Sequence, residues 1–421
     1  MIDLSLLREH PQAIQLAALH KGVTIDVDHI LEIDQKYREL TISVQTLREE
    51  RNRLARLAAL PEEKERKKAI EEGRKLKLLL EQKEHALSAV KDELQRMLLS
   101  IPNPAKPDVK IGKDDSENEV IRKFKEPTKL SFNPRDHVEL GEILDIIDIE
   151  RAAKVSGARF AYFKNDGVLL ELALVKYAFD FLIKEGFTPV IPPVLIKKEV
   201  MRGLGYMEHG GEEDMFSIPS DDLILVGTAE HSLVPMHMNE VLNSKELPKR
   251  YVGFSSAFRR EAGSYGKDTR GILRVHQFDK VEMVSFVEQN KDDDEHEYLL
   301  GLEEKLFQSL EIPYQVVKMC TGDLGFPAAR KFDLEAWMPS QGKYREVTSV
   351  STVTDFQSRR LNIRYRHSNQ TLFAYVLNGT AFAIGRTIIA ILENYQQEDG
   401  SVVIPEVLRN YIGKDILKPR V

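Results

Sequence analysis

Between residues 30 and 97, apolar side chains return alternately every three and four positions, with a proline breaking the run once. Ile30, Ile33, Tyr37, Leu40, Val44, Leu47, Arg51, Leu54 and Ala58 make one seam; Ala69, Gly73, Leu76, Leu80, Lys83, Leu87, Val90, Leu94 and Met97 make a second. Sustained spacing of this kind is the heptad signature of a coiled coil. Leu60-Pro61-Glu62-Glu63 divides the seams, and a proline there either ends one helix or opens the next. The pattern predicts an antiparallel helical hairpin over about 26–99 that turns near residue 62. Facing residues should then sum to about 124, setting Val44 against Leu80 and Arg51 against Gly73. The stem of Arg51 is expected to lie across Gly73, a packing reason for a glycine that costs about 1 kcal/mol of helix propensity. At 1.5 Å per residue the first helix runs roughly 40 Å. That is too long to pack throughout on a small body, so the hairpin is expected to project as an arm.

Residues 1–25 read as a short helical lead-in. Pro102, Pro104 and Pro107 stop the arm, and the polar stretch 101–118 reads as a linker. From 119 to 421, helical patterns mix with strands such as 223–226 and 252–258. Without regular βαβ alternation, that mixture predicts an α+β body with an antiparallel sheet. The balance of 60 basic against 67 acidic side chains, −7 overall, excludes a globally basic nucleic-acid coat but not a local patch. The lone Cys320 excludes an internal disulfide and any cysteine-rich zinc site; it is expected to be a small buried residue. No run approaches the roughly 18 apolar residues of a membrane span, and the start resembles no secretory signal. A cytoplasmic protein with no membrane partner is expected.

Neither a G-x-x-x-x-G-K-[ST] loop nor an H-E-x-x-H pair occurs. None of the eleven histidines is given a catalytic role, and His296, in Asp292-Asp-Asp-Glu-His-Glu, is expected at a solvated helix start. The strongest chemical signal is 258–282, which reads as strand, glycine-rich turn, strand. Arg259 and Glu261 share a face of the first strand; Arg274, His276, Phe278, Lys280 and Glu282 share a face of the second. So many charges along one strand are costly unless a ligand meets them. Two arginines and a phenylalanine suit a nucleotide, as cations for phosphates and a ring for the base. A salt-bridged surface hairpin is the competing reading of that segment alone.

The string Arg259-x-Glu261, a loop, then Arg274-x-x-x-Phe278 resembles motif 2 of the class II aminoacyl-tRNA synthetases. Gly186-Phe-Thr-Pro-Val-Ile-Pro-Pro193 resembles motif 1, and Asn378-Gly-Thr-Ala-Phe-Ala-Ile-Gly-Arg386 resembles motif 3, in the expected order. Asp268-Thr-Arg-Gly, Gly227-Thr228-Ala229-Glu230, Asp355-Phe-Gln-Ser-Arg-Arg and Glu393-Asn-Tyr-Gln-Gln-Glu-Asp-Gly are similar to seryl-tRNA synthetases, as is the long N-terminal hairpin. The resemblance covers essentially the whole chain. It implies a class II antiparallel-sheet catalytic domain over 119–421, preceded by a tRNA-binding domain over 1–100.

By resemblance, Arg259 and Arg386 are the catalytic arginines. Arg259 would hold the α-phosphate, Arg274 and Arg386 the β- and γ-phosphates, Glu261 the adenine end, and Phe278 the base. Arg260, Val347 and Thr348 join these as ATP-site residues, and Glu346 and Ser349 as contacts of ATP and Mg²⁺. Glu346 and Ser349 are three apart, so a flat strand would point them oppositely and a bulge is implied. Serine would be held by Thr228, Ala229, Glu230, Glu282 and Thr380, with Asn378 a weaker candidate. Where many relatives carry asparagine this chain has Thr352, which weakens a role for that position. The zinc-dependent branch of the family needs a cysteine ligand, and Cys320 lies outside every motif, so no zinc is expected.

The implied activity is serine–tRNA ligation: L-serine is adenylated by ATP and passed to tRNA-Ser, and to tRNA-Sec where that tRNA exists. A class II-like ligase loading an amino acid onto a carrier protein is the alternative, but such relatives lack the long arm. A coiled-coil adaptor with a relic body is disfavoured by intact Arg259, Glu261, Phe278 and Arg386. A homodimer through motif 1 is implied. Between Arg48 and Lys77 stand eleven basic and seven acidic residues, so this segment is positive within a negative chain. Arg48, Arg51, Arg53, Arg56, Lys67 and Lys68 are the expected tRNA contacts, aimed at the long variable arm of tRNA-Ser, because duplex RNA is read mainly through shape and phosphates.

Overall fold

The computed structural model describes residues 1–59, 61–262, 268 and 270–420. It divides into two units, Ile2–Pro102 and Met1 with Asn103–Val421. The first holds α1 (Leu4–Glu9), α2 (Pro11–His20), α3 (Val27–Leu57) and α4 (Glu63–Leu99). Asp26 caps α3 by accepting from the His29 N–H at 3.0 Å, satisfying a donor the helix leaves free. Glu63 and Glu65 stand in the first turn of α4, where negative charge suits the helix dipole.

α3 and α4 form the hairpin, and every seam residue but one is buried or half-buried. The exception is Arg51, which is exposed and donates to the Asn52 side chain at 3.4 Å. A Cβ on Gly73 would meet nothing within 4 Å. The expected packing of Arg51 over Gly73 is therefore absent. A long cationic side chain gains more from water than from lying on a bare backbone. Arg8 of α1 grips the fully buried Asp34 of α3 with two bonds of 2.8 and 2.7 Å, and Arg38 reaches the same carboxylate at 3.2 Å.

The second unit is built on β1 (Glu119–Phe124), α5 (Asp166–Lys184), β2 (Thr188–Val190), α6 (Glu230–Leu233), β3 (Lys249–Phe258), β4 (Gln277–Val287), α7 (Asp292–Ser309), β5 (Tyr314–Lys318), β6 (Arg330–Met338), β7 (Lys343–Thr354), α8 (Phe356–Leu361), β8 (Tyr375–Ala383) and α9 (Ile384–Tyr395). The eight strands form one sheet in the order β1-β5-β6-β7-β8-β4-β3-β2. Every pair is antiparallel except β2 with β3. This is the α+β architecture that the strand pattern predicts. One face carries the large core of Leu302, Leu306, Phe307, Phe382 and Ile388; the other carries Val226, Leu233, Val284 and Phe286. Asn103, in the stretch expected as a linker, is buried in this unit and donates to the carbonyls of Pro327 and Val353 at 2.9 Å each.

The acidic run opening α7 is only partly solvated: Asp293, Asp294 and Glu297 are exposed, while Asp292, Glu295 and His296 turn inward. His296 is fully buried, with Nε2 on the Val350 carbonyl at 3.1 Å and Nδ1 accepting from Arg330 at 3.1 Å. Asp292 pairs with Lys106 at 2.7 Å, and Glu295 with Arg250 at 2.7 Å and Ser285 at 2.7 Å. Cations brought from distant elements make burial tolerable. Cys320 is buried, as expected.

Candidate active site

Site residues cluster on the sheet face opposite the large core, and two bulges aim them there. Leu334 lies opposite Thr348 and Glu335 opposite Glu346, leaving Val347 as an extra residue in β7. That is the bulge implied by the spacing of Glu346 and Ser349. Likewise Val281 faces Phe382 while Glu282 faces Thr380, leaving Ala381 extra in β8. Phe382 can then enter the core while Thr380 joins the site.

At the pocket's centre, Glu282 is almost completely buried. Its Oε2 accepts from Lys280 Nζ at 2.6 Å and from Thr380 Oγ1 at 3.2 Å. Lys280 also reaches Thr228 Oγ1 at 3.5 Å. Glu230 lies in the same pocket, held by Gln357 Nε2 at 2.9 Å and by the Tyr206 hydroxyl at 3.0 Å. Burial, reinforced by the charge of Glu282, raises the Glu230 pKa to about 6 against the opposing bonds from Gln357 and Tyr206. The neighbouring His231 is pushed down to about 3 by burial and by Arg259 and Lys280. It is neutral, and its Nδ1 accepts from the Gly227 N–H at 3.1 Å.

The arginines line one side. Arg259 places its guanidinium 5.4 Å from the centre of the Phe278 ring, and its Nε donates to the Gly227 carbonyl at 3.1 Å. Arg274 pairs with Glu261 at 3.1 Å and Asp268 at 3.1 Å; Arg345 also bonds Asp268. Arg386, at the start of α9, pairs with Glu346 at 2.9 Å. Burial would raise the Glu346 pKa, but Arg386 and then Lys331 outweigh it and hold the carboxyl at about 2. Arg260 lies over the Phe216 ring at 5.5 Å. Val347 and Thr348 are buried, and the Thr348 hydroxyl bonds Glu303 on the core side. Asn378 is buried on β8 beside the pocket. Thr352 also turns to the core, donating to Asp292 at 2.8 Å. Residues 263–267 and 269 of the motif 2 string lie outside the described residues.

Sequence reasoning passed over Lys280, Arg345, Tyr206 and Gln357 as site members. The period-two pattern had placed Lys280 on the face of Glu282, and that was the available signal. Tyr206 gave none; Gln357 stands in the Asp355-Phe-Gln-Ser-Arg-Arg string, but only folding shows that it meets Glu230. Among the described residues no three His, Cys, Asp or Glu side chains gather to hold a metal ion, and no helix is long and apolar enough to cross a membrane.

On the hairpin, Arg48 pairs across to Glu84 at 2.7 Å, while Arg53 pairs with Glu50 at 2.6 Å, Lys67 with Glu63 at 2.6 Å and Lys68 with Glu72 at 4.0 Å, each within its own helix. Arg56 is exposed.

The seryl-tRNA synthetase N-terminal domain matches residues 1–105, and the class II tRNA synthetase core domain (G, H, P, S and T) matches 215–395. The serine–tRNA ligase of Thermobifida fusca is 47% identical over 422 residues, covering 100% of this chain and 99% of that one. The chain belongs to the seryl-tRNA synthetase family. The crystal structure of the seryl-tRNA synthetase of Pyrococcus horikoshii, complexed with ATP, superposes with a TM-score of 0.92 at 41% identity and full coverage of both chains. A cytoplasmic serine–tRNA ligase of Naegleria fowleri, in complex with AMP, gives 0.87 at 30% identity, covering 100% of this chain and 99% of that one.

Proposed function

We propose that the chain activates L-serine with ATP to seryl-adenylate and transfers serine to tRNA-Ser, and to tRNA-Sec where present. The observation that carries this reading is the Thr380–Glu282–Lys280 cluster. Both bonds to Glu282 fall on Oε2, leaving Oε1 to accept the serine hydroxyl. Alanine would leave that buried acceptor unmet, and the closed pair excludes the extra methyl of threonine. Glu230, when ionised, attracts the serine ammonium.

The serine carboxylate attacks the α-phosphorus, an O–P bond forms, and the bond to pyrophosphate breaks. The attacking group is already an anion, so positioning and charge neutralisation do the work without a general base. Arg259 meets the charge on the α-phosphate while Phe278 stacks on adenine. Arg274 and Arg386 exchange their carboxylate partners for the outer phosphates. Glu346, ionised at every working pH, and Ser349 on the same side of the bulge suit Mg²⁺, which takes one or two protein oxygens and fills its shell from phosphate and water. When bound, that ion neutralises phosphate charge. A ribose hydroxyl of the tRNA end then attacks the serine carbonyl and releases AMP.

A homodimer forms through the 186–193 region. Supporting it, Val168, Leu169 and Leu172 on α5 are 39, 42 and 57% exposed, and Ile191 beyond the edge strand β2 is 82% exposed. The chain works in the cytoplasm, and the cations of 48–77 grip the variable arm of the tRNA. The test of function is ATP–pyrophosphate exchange with each of the twenty amino acids. Serine alone should support it; exchange with another amino acid and none with serine overturns the assignment.

A further inference from the structure

Behind the pocket, on the core side of the sheet, α7 runs along β7 and meets every second residue of it with a polar group. Asp292 takes the Thr352 hydroxyl, His296 the Val350 carbonyl and Glu303 the Thr348 hydroxyl. Asp292 and His296 have further cationic or guanidinium partners in Lys106 and Arg330. Among the described residues Glu303 has none. It is fully buried; its Oε2 accepts from Thr348 Oγ1 at 2.6 Å, and among the described residues its Oε1 has no hydrogen-bond partner. A Cβ built on Gly379 would stand 2.9 Å from that Oε1, so a larger residue there would require the carboxyl end to move.

The two strands touched by this one carboxyl carry the two substrates' residues. Thr348 directly precedes Ser349 on β7, and Gly379 lies between Asn378 and Thr380 on β8. A leucine would remove the unmet Oε1 but leave the buried Thr348 hydroxyl without its acceptor, so the acid is what ties α7 to β7 at this point. We propose that Glu303 is a positioning residue for serine activation, its carboxyl wedged behind β7 and β8 so that Ser349 and Thr380 stand at the separation that brings the serine carboxylate to the α-phosphate. A displacement near 1 Å at such a junction costs about a hundredfold in rate. The acid works in its neutral form: burial raises its pKa well above the usual carboxyl range, with Glu282 and Asp333 adding to the rise and Thr348 and Lys280 opposing it.

The inference rests on the serine-activating reading, and wild-type exchange with serine tests that reading separately. With exchange established, Glu303→Leu should lower kcat/KM for serine at least tenfold while the melting temperature stays level or rises. Glu303→Gln, the same shape and uncharged, should remain within about threefold of wild type. Equal loss in both variants, or a Leu variant with wild-type kcat/KM, overturns the proposal. Should the Leu variant not fold, Thr348→Val removes the hydroxyl from the other side. It should lower kcat/KM for serine severalfold in the wild-type background and to the same extent in Glu303→Gln, whose amide oxygen still accepts that hydroxyl; a wild-type kcat/KM in Thr348→Val overturns the proposal.

Discussion

The outer hairpin and the core of the sheet unit use charge in opposite ways. In the hairpin, pairs such as Lys67–Glu63 and Lys75–Glu71 join neighbours one helical turn apart, and both partners of each are more than 70% exposed. In the sheet unit Lys106–Asp292, Arg330–Asp293 and Arg250–Glu295 join residues far apart in the chain, each with at least one partner largely buried. Exposed pairs contribute little and are screened by salt, so a polyphosphate can replace the carboxylate at small cost. Buried pairs cannot be broken without stranding a charge in the interior. The same residue types thus serve an interchangeable surface on the outer hairpin and a fixed scaffold behind the sheet, as Arg8 does for buried Asp34 at the hairpin's base.

The sharpest test of this contrast lies among the arginines of the pocket, which are half-open and meant for exchange. Arg259→Ala should reduce serine-dependent exchange by about a hundred- to a thousandfold, the cost of removing one preorganised donor at a developing charge, with the melting temperature unchanged. Near-normal exchange in this variant would remove Arg259 from the reaction. Arg250→Met should do the reverse. It strands Glu295, which Arg250 grips twice at 2.7 Å, so denaturant unfolding should show a loss of about 3 kcal/mol.

In the hairpin, replacing Arg51, Arg53 and Arg56 together with glutamine should raise KM for tRNA roughly tenfold and flatten its salt dependence. Exchange and melting should not move. A parallel fall in exchange would show that the two units do not divide their labour. The smallest effect concerns pH. Glu230, with its pKa raised to about 6, is charged above that value and neutral below it, so kcat/KM for serine should decline as pH falls through 6. Between pH 7 and 5.5 the drop is about fourfold, and Glu230→Gln should flatten the profile at a low level.

The hairpin could be read from the sequence because its contacts repeat every seven residues. All of its seam positions except Arg51 are covered, and Arg51 failed because a register argument cannot weigh solvation. The site was legible as strings: Arg259 to Phe278, Thr228 to Glu230, and Asn378 to Arg386 are each local runs, and their types state their chemistry. Even the bulge at Val347 followed from the three-residue spacing of Glu346 and Ser349. What sequence hid was the partner across space. His296 and Asp292 read as a solvated run because Arg330 and Lys106 are distant in the chain. Tyr206 carries no motif at all, Gln357 stands in one that does not state its partner, and Thr348, within a motif, points its hydroxyl to the core because the bulge reverses the expected alternation.

The strand order has a consequence during synthesis. β8, between β7 and β4, is the last of the eight strands to be made. Until residue 383 has emerged, β1, β5, β6 and β7 on one side and β4, β3 and β2 on the other remain two separate ribbons. Each then presents an open edge where β8 belongs, and open edges invite wrong pairing. The strand that closes the gap also delivers Asn378 and Thr380, and Arg386 follows directly in α9. A nascent chain therefore completes its sheet and its pocket in the same act, long after the hairpin, finished by residue 99, can form on its own local contacts.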